Sequence, residues 1–339
     1  MSKKLFSTSV WNDRLRRQKA KRRKRTSSSR RYSSKTSTTI RRTSKKKAIT
    51  VSGLFSIAAP SNFSLITNPE EVLLFFLRMR SYGKKHHLWL DFSGVQHITA
   101  DAVAALIATI HDVDLARCQM EGSLPSDPNA KEILIESGFF EHVLTRVPVP
   151  KCHRGRIAQR KSEKVEPLTA QALIRLGTRE ALGRERVCQA AYGTLIDCMN
   201  NTFNHAARTV EAVSKRYRET WWATVYADAQ RKRVCFTFLD TGVGIFRSLK
   251  LRDIRRVYRA VGIYDDVDII KDMLLGKVPS TTGLSYRGKG LPSIYRAHQR
   301  GTLKALAIIA NGVYANVGTG SYKMLRSSFS GTLLYWEIE

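Results

Sequence analysis

The chain has 339 residues, 42% of them hydrophobic, and 58 Lys or Arg against 28 Asp or Glu give a net charge of +30. That length holds two ordinary domains with a core in each, while no apolar run approaches the ~18 residues of a membrane-spanning helix and no apolar stretch backs the basic N-terminus as in a secretory signal. The five cysteines contain no CxxC pair, which argues against a disulfide framework or zinc ribbon and suits the reduced thiols of a cytoplasmic protein.

Residues 1–48 carry 19 Lys or Arg and one acid, Asp13, for a net +18. Dense in Ser and Thr and poor in apolar side chains, this segment cannot offset its ordering entropy and reads as a disordered basic tail. Its run Lys19-Ala20-Lys21-Arg22-Arg23-Lys24-Arg25 suits phosphate backbones. A nucleic-acid arm, a tether to anionic lipid or an acidic protein, and a solvated tail without fixed partner all fit. An organelle transit peptide shares the composition.

Order begins near Ile49. Leu54–Ile57 reads as a short strand, Glu70–Met79 as a helix with Val72, Phe75, Phe76 and Met79 on one face, and Leu88–Phe92 as a buried strand. Ala100–Val113 has helical spacing, Cys118–Leu124 is a weaker strand, and Pro125-Ser126-Asp127-Pro128 starts a helix over Lys131–Val143. This alternation predicts a small α/β domain over 49–147. Polar, basic Lys151–Lys164, flanked by prolines, marks an interdomain linker, drawn as 148–180. A long helix follows over about Arg184–Ala207. Trp222–Ala227 and Val234–Asp240 form two strands across Gln230-Arg231-Lys232, Gly288–Arg296 leads into a helix, and Leu303–Ile309 and Leu333–Ile338 are strands.

Three boxes stand out in the last domain, 181–339. Asp197, Asn201 and His205 lie four apart on one helix face, with Leu195, Ile196, Met199 and Phe203 turned to a core. By itself this is a solvated polar stripe. Asp240-Thr241-Gly242-Val243-Gly244 follows an apolar strand, where a carboxylate can accept from a ligand amine while glycines admit the ligand close to the backbone. Gly288-Lys289-Gly290-Leu291 leads into a helix whose N–H groups and dipole suit phosphate. Alone, the first of these two also fits a plain turn, and the second is more often just a turn.

In this order the boxes resemble the GHKL (histidine-kinase-like) ATP-binding domains of gyrase-type topoisomerases, ninety-kilodalton heat-shock chaperones, histidine kinases and mismatch-repair proteins. Gly331-Thr332-Leu333-Leu334 is similar to the Gly-Thr that opens the family's last strand. The resemblance implies an α/β sandwich that binds ATP and Mg²⁺. Asn201 would ligate the metal and Asp240 would accept the adenine amino group. Gly242 and Gly244 would let base and ribose approach, Gly288 and Gly290 would cradle phosphates, and Lys289 would add a charge. Thr332 would position Asp240 or the base, and about Leu249–Arg287 would form a lid. Two departures are plain. Asp197 stands where most members carry a catalytic Glu and is one methylene shorter, and Pro292 replaces a glycine. Both favour ATP binding over turnover.

Leu88-Trp89-Leu90-Asp91-Phe92-Ser93-Gly94-Val95, with Thr99-Ala100-Asp101-Ala102 after it, resembles a STAS domain, the fold of bacterial anti-sigma-factor antagonists. Asp101 occupies the place of the phosphorylated serine in that family, so a fixed regulatory charge is implied, beside the simpler reading of a helix-start acid. Together the resemblances imply a cytoplasmic partner-switching regulator with a protein partner, fusing STAS-like and GHKL modules. The alternatives are a slow ATPase acting on nucleic acid and an anti-sigma-type Ser/Thr kinase.

Overall fold

The computed structural model describes residues 6–7, 54–83, 87–112, 115, 118–145, 154–161, 165–202, 220–248, 265–278 and 289–339. Helices and strands are mixed throughout, an α/β architecture of two main sheets. Phe6–Ser7 (β1), Leu54–Ala58 (β2), His87–Asp91 (β4), Gln119–Gly122 (β6) and Leu144–Thr145 (β7) form one sheet in the order β2-β4-β6-β1-β7. Within it β2, β4 and β6 run parallel, and β1 is antiparallel to both of its neighbours. Asn62–Phe63 (β3) and His97–Ile98 (β5) pair as a short parallel ribbon. Phe6–Ser7 therefore departs from the disordered reading of 1–48: its backbone fills the slot between Glu121–Gly122 and Leu144–Thr145, where two strand edges would otherwise lack partners. The rest of that segment lies outside the described residues.

Helix Pro69–Gly83 (α1) packs on β2 and β4, Ala100–Ile110 (α2) packs against α1, and Pro128–Glu136 (α3) packs against α2 and β5. In α1 the residues spaced for burial, Val72, Phe75, Phe76 and Met79, are all buried. In α3 Asp127 caps the start, its carboxylate accepting from the Ala130 amide at 2.8 Å, with Pro128 where no N–H is needed. This helix ends at Glu136, and a 3-10 turn over Phe139–Glu141 replaces the expected helical continuation after Gly138 takes φ +87°.

The second sheet is wholly antiparallel, in the order β11-β12-β10-β9-β8: Lys304–Asn316 (β11), Ser321–Ile338 (β12), Arg233–Asp240 (β10), Thr220–Asp228 (β9) and Gly155–Lys161 (β8). Its helices are Pro167–Leu182 (α4), Gln189–Asn201 (α5), Ile245–Ser248 (α6), Asp266–Leu274 (α7) and Gly290–Gln299 (α8). Two sequence expectations change here. The linker drawn over 148–180 contains β8, hydrogen-bonded to β9, and α4, packed on β9 and β10. As an edge strand β8 accepts a polar, basic sequence, and α4 buries Ala170, Leu173 and Ile174 despite its basic outer face. The stretch read as a lid includes α7, a capped helix whose Val267, Ile269, Ile270 and Leu274 are buried. Residues 249–264 and 279–287 of that stretch lie outside the described residues.

Side chains on the two faces of the second sheet alternate into different cores. Trp221, Phe236, Phe238, Leu334 and Trp336 pack under α4 and α5. Trp222, Cys235, Leu239, Ile309, Leu333 and Tyr335 belong to the same core as Phe75, Leu90, Val103 and Ile107 of the first half. The α2 helix lies between the sheets, against β9 and β10, which explains its burial from Asp101 through Ile110. Polar pins reinforce this contact. The Tyr314 hydroxyl donates to the Ile66 carbonyl at 2.5 Å, and Glu70 accepts from the Arg326 amide of β12 at 3.1 Å. His111 and His142 flank Trp222, each ring 5.6 Å from the indole, and burial lowers the pKa of both. No helix of the described residues is long and apolar enough to cross a membrane.

Asp101 lies at this junction. It has 0% exposure, and its carboxylate accepts from the Leu65 amide at 2.8 Å. Burial pushes its pKa up, partly offset by the Thr99 hydroxyl and the Leu65 amide. The simpler reading of a helix-start acid agrees with its place in the first turn of α2, and a charge buried there is closed to a kinase in this fold. We expect Asp101→Ser, too short to hold the Leu65 amide, to lose about 1–3 kcal/mol of stability. Asp101→Asn keeps an acceptor without a buried charge and should melt at or above the parent at neutral pH. Chemical denaturation of the two variants checks this, and an unchanged Asp101→Ser midpoint would refute it.

Candidate nucleotide site

The three boxes meet at one end of the helix-covered face of the second sheet. In α5, Leu195, Cys198 and Met199 are buried against the core, which leaves Asp197 half-buried and Asn201 exposed on the other side. The N-terminus of α8 abuts that side. A Cβ at Gly290 would stand 3.4 Å from Asn201 Nδ2 and 3.6 Å from Asp197 Cβ, so the missing side chain leaves the backbone open beside both polar groups. Lys289 precedes it as the N-cap, exposed. Pro292 sits in the first turn of α8, where its missing N–H costs no helical bond, and is buried.

Asp240 ends β10 and pairs in register with Thr332 of β12. Strand alternation puts its side chain on the α5 face, opposite Leu239. The carboxylate accepts from the Gly242 amide at 2.9 Å. Although Asp240 keeps part of its surface accessible, the protein around its carboxyl desolvates it and raises its pKa to about 6; Gly242 and Thr332 offset this in part. Asp197 is likewise raised by burial. Both carboxylates act on the buried Cys198 thiol, pushing it further up, so the helix box and the first glycine box share one neighbourhood. An acid held partly protonated near neutrality is costly, and such groups concentrate where a ligand uses them.

Glycine is required at two positions beside Asp240, one in the loop after β10 and one within β12. Gly244 has φ +80°, and a Cβ there would lie 2.6 Å from Asn311 Oδ1. Gly331 has φ +115°, and a Cβ would fall 1.9 Å from the Asp240 carbonyl oxygen. Gly331 thus lets β12 approach β10 at the point where Asp240 turns out of the sheet.

No protein-family model matches the chain, and no curated protein matches it. The site stands on its geometry. Asp197, Asn201, Lys289 and Gly290 come together at the α5–α8 contact, and Asp240, Gly242 and Gly244 at the end of β10, where Thr332 of β12 pairs with Asp240. Two expected site residues, His205 and Gly288, lie outside the described residues. Among the described residues no three His, Cys, Asp or Glu side chains cluster as metal ligands. A divalent cation at Asn201 would take the carboxamide oxygen and find its other oxygen ligands on phosphate and water, the habit of Mg²⁺. Asn311 was missed by sequence reasoning. It lies in mid-strand, and its only signal is the pair Asn311-Gly312 interrupting an apolar run.

Proposed function

We propose that this chain is a Mg·ATP-binding regulatory protein, with the nucleotide held by the second sheet and its helices, as the GHKL resemblance implies. The observation that supports this reading is the approach of Gly290 to Asn201 and Asp197, about ninety positions away in sequence; the resemblance gives these three the phosphate, metal and catalytic roles. Asp240 would receive the adenine amino group, its carboxylate oriented by Gly242 and Thr332. Lys289 and the N-terminus of α8 would meet phosphate oxygens. The STAS-like first half would act as a fixed regulatory unit on the back of the sheet, and the basic segment 1–48 would recruit a polyanion such as nucleic acid or an acidic protein partner.

A slow ATPase is the second reading. Asp197 lies beside Asn201 with a pKa raised by burial, the direction that improves a general base, yet its side chain is short for reaching a water at the γ-phosphate. Phosphate release from ATP separates this reading from binding alone.

The decisive experiment is titration of MgADP into the full chain and two variants. Asp240→Asn should weaken binding tenfold or more, because the amide turns a donor toward the adenine amine, and Asn201→Ala should remove the dependence on Mg²⁺. Parent affinity should fall as pH drops from 7 to 5. Only ionised Asp240 accepts from the amine without rearrangement, and that form is lost as pH falls through about 6. Binding by both variants equal to the parent's would refute the nucleotide reading.

A further inference from the structure

Asn311 is 7% exposed in the middle of β11, with φ +50°. A non-glycine residue held there stores strain unless the surroundings fix it. They do. Its Nδ2 donates to the Val243 carbonyl at 2.9 Å, and its Oδ1 accepts from the Phe246 amide at 3.2 Å. One carboxamide therefore bridges both sides of Gly244, closing the loop that begins at Asp240. The strand register shifts on either side of Asn311. Before it, Leu306, Ile308 and Ala310 face the helix-side core; after it, Val313 and Ala315 do, while Tyr314 turns to the first half. The carboxamide at this irregularity is bonded to the loop on both sides of Gly244.

From this geometry we infer that Asn311 is a positioning residue for nucleotide recognition: it holds the Asp240–Gly244 loop in the conformation that presents the Asp240 carboxylate to the base. The inference rests on the nucleotide reading above. Asn311 touches the ligand in no step and acts through the Val243 carbonyl and the Phe246 amide. An amide suits both, since one end must donate and the other accept. A carboxylate offers Val243 an oxygen in place of a donor.

The test uses the full chain with MgADP and MgGDP as probes, comparing the parent with Asn311→Asp and Asn311→Gly. Glycine accepts φ +50° without strain and removes both bonds; aspartate keeps the shape and the bond from Phe246 while losing the bond to Val243. We expect both variants to bind MgADP at least tenfold more weakly than the parent and to lose most of its preference for ADP over GDP. Asn311→Gly should melt within a few degrees of the parent without nucleotide, yet show a smaller rise on adding MgADP. Parent-like affinity and base preference in both variants would overturn the inference, as would a lowered melting temperature with unchanged binding below it, the mark of a purely structural residue. If the parent itself fails to bind MgADP, the nucleotide reading fails instead, independently of the variants.

Discussion

Gly331→Ala is expected to abolish the site and remove a large share of the stability of the second sheet. Its φ of +115° is a conformation that L side chains rarely adopt, costing on the order of 1–3 kcal/mol. The added methyl would also overlap the Asp240 carbonyl oxygen, at 1.9 Å, an overlap relieved only if β12 moves away from β10. That movement breaks the Asp240–Thr332 pairing and uncovers Leu333 and Leu334, both buried. Together these terms reach about 3–5 kcal/mol, a large share of the 5–15 kcal/mol that holds a domain. Urea denaturation should show the loss directly, and MgADP binding should vanish even where the variant remains folded. A parent-like midpoint would mean that the two strands do not approach as closely as Gly331 allows.

Removing the first half should be as damaging. A chain beginning at residue 148 keeps the complete second sheet but bares Trp222, Leu239, Ile309, Leu333 and Tyr335, all buried in the shared core. Each large apolar side chain returned to water costs roughly 1.5–3 kcal/mol, so five of them reach about 10 kcal/mol. The pins at Ile66–Tyr314 and Glu70–Arg326 go as well. The shortened chain should aggregate or lack a cooperative melt, whereas the full chain should unfold in one transition. Two separate transitions in the parent, or a soluble and cooperatively melting fragment, would show that the halves are independent modules after all.

Much of this architecture is legible in the residues. The helical spacing of Val72, Phe75, Phe76 and Met79 located α1. Pro125-Ser126-Asp127-Pro128 announced α3, which starts at Pro128 and not Lys131, and the β-branched and aromatic runs Trp222–Ala227 and Val234–Asp240 located the β9–β10 hairpin. These signals are local: a buried face repeats at the period of its own backbone. Other elements were misjudged because neighbours settle them. Strand β8 has the composition of a linker and becomes a strand only because β9 offers an unpaired edge, and Phe6–Ser7 is ordered for the same reason. The strand ending at Ile309 continues to Asn316, since an irregularity at Asn311 lets the ladder resume with its faces exchanged.

What the sequence determined by itself is therefore the set of amphipathic elements and the chemistry of the boxes: an acid at a strand end with two glycines after it, a polar stripe on a helix, and glycines at a helix start. Only the tertiary structure decided that Gly290 reaches Asn201 and Asp197, that Asn311 closes the Asp240 loop, and that Asp101 is buried at a junction. The physical reason is range. Periodicity and capping act over one or two turns of chain, whereas burial, desolvation and close approach depend on groups tens to hundreds of residues away, which nothing in the local sequence brings together.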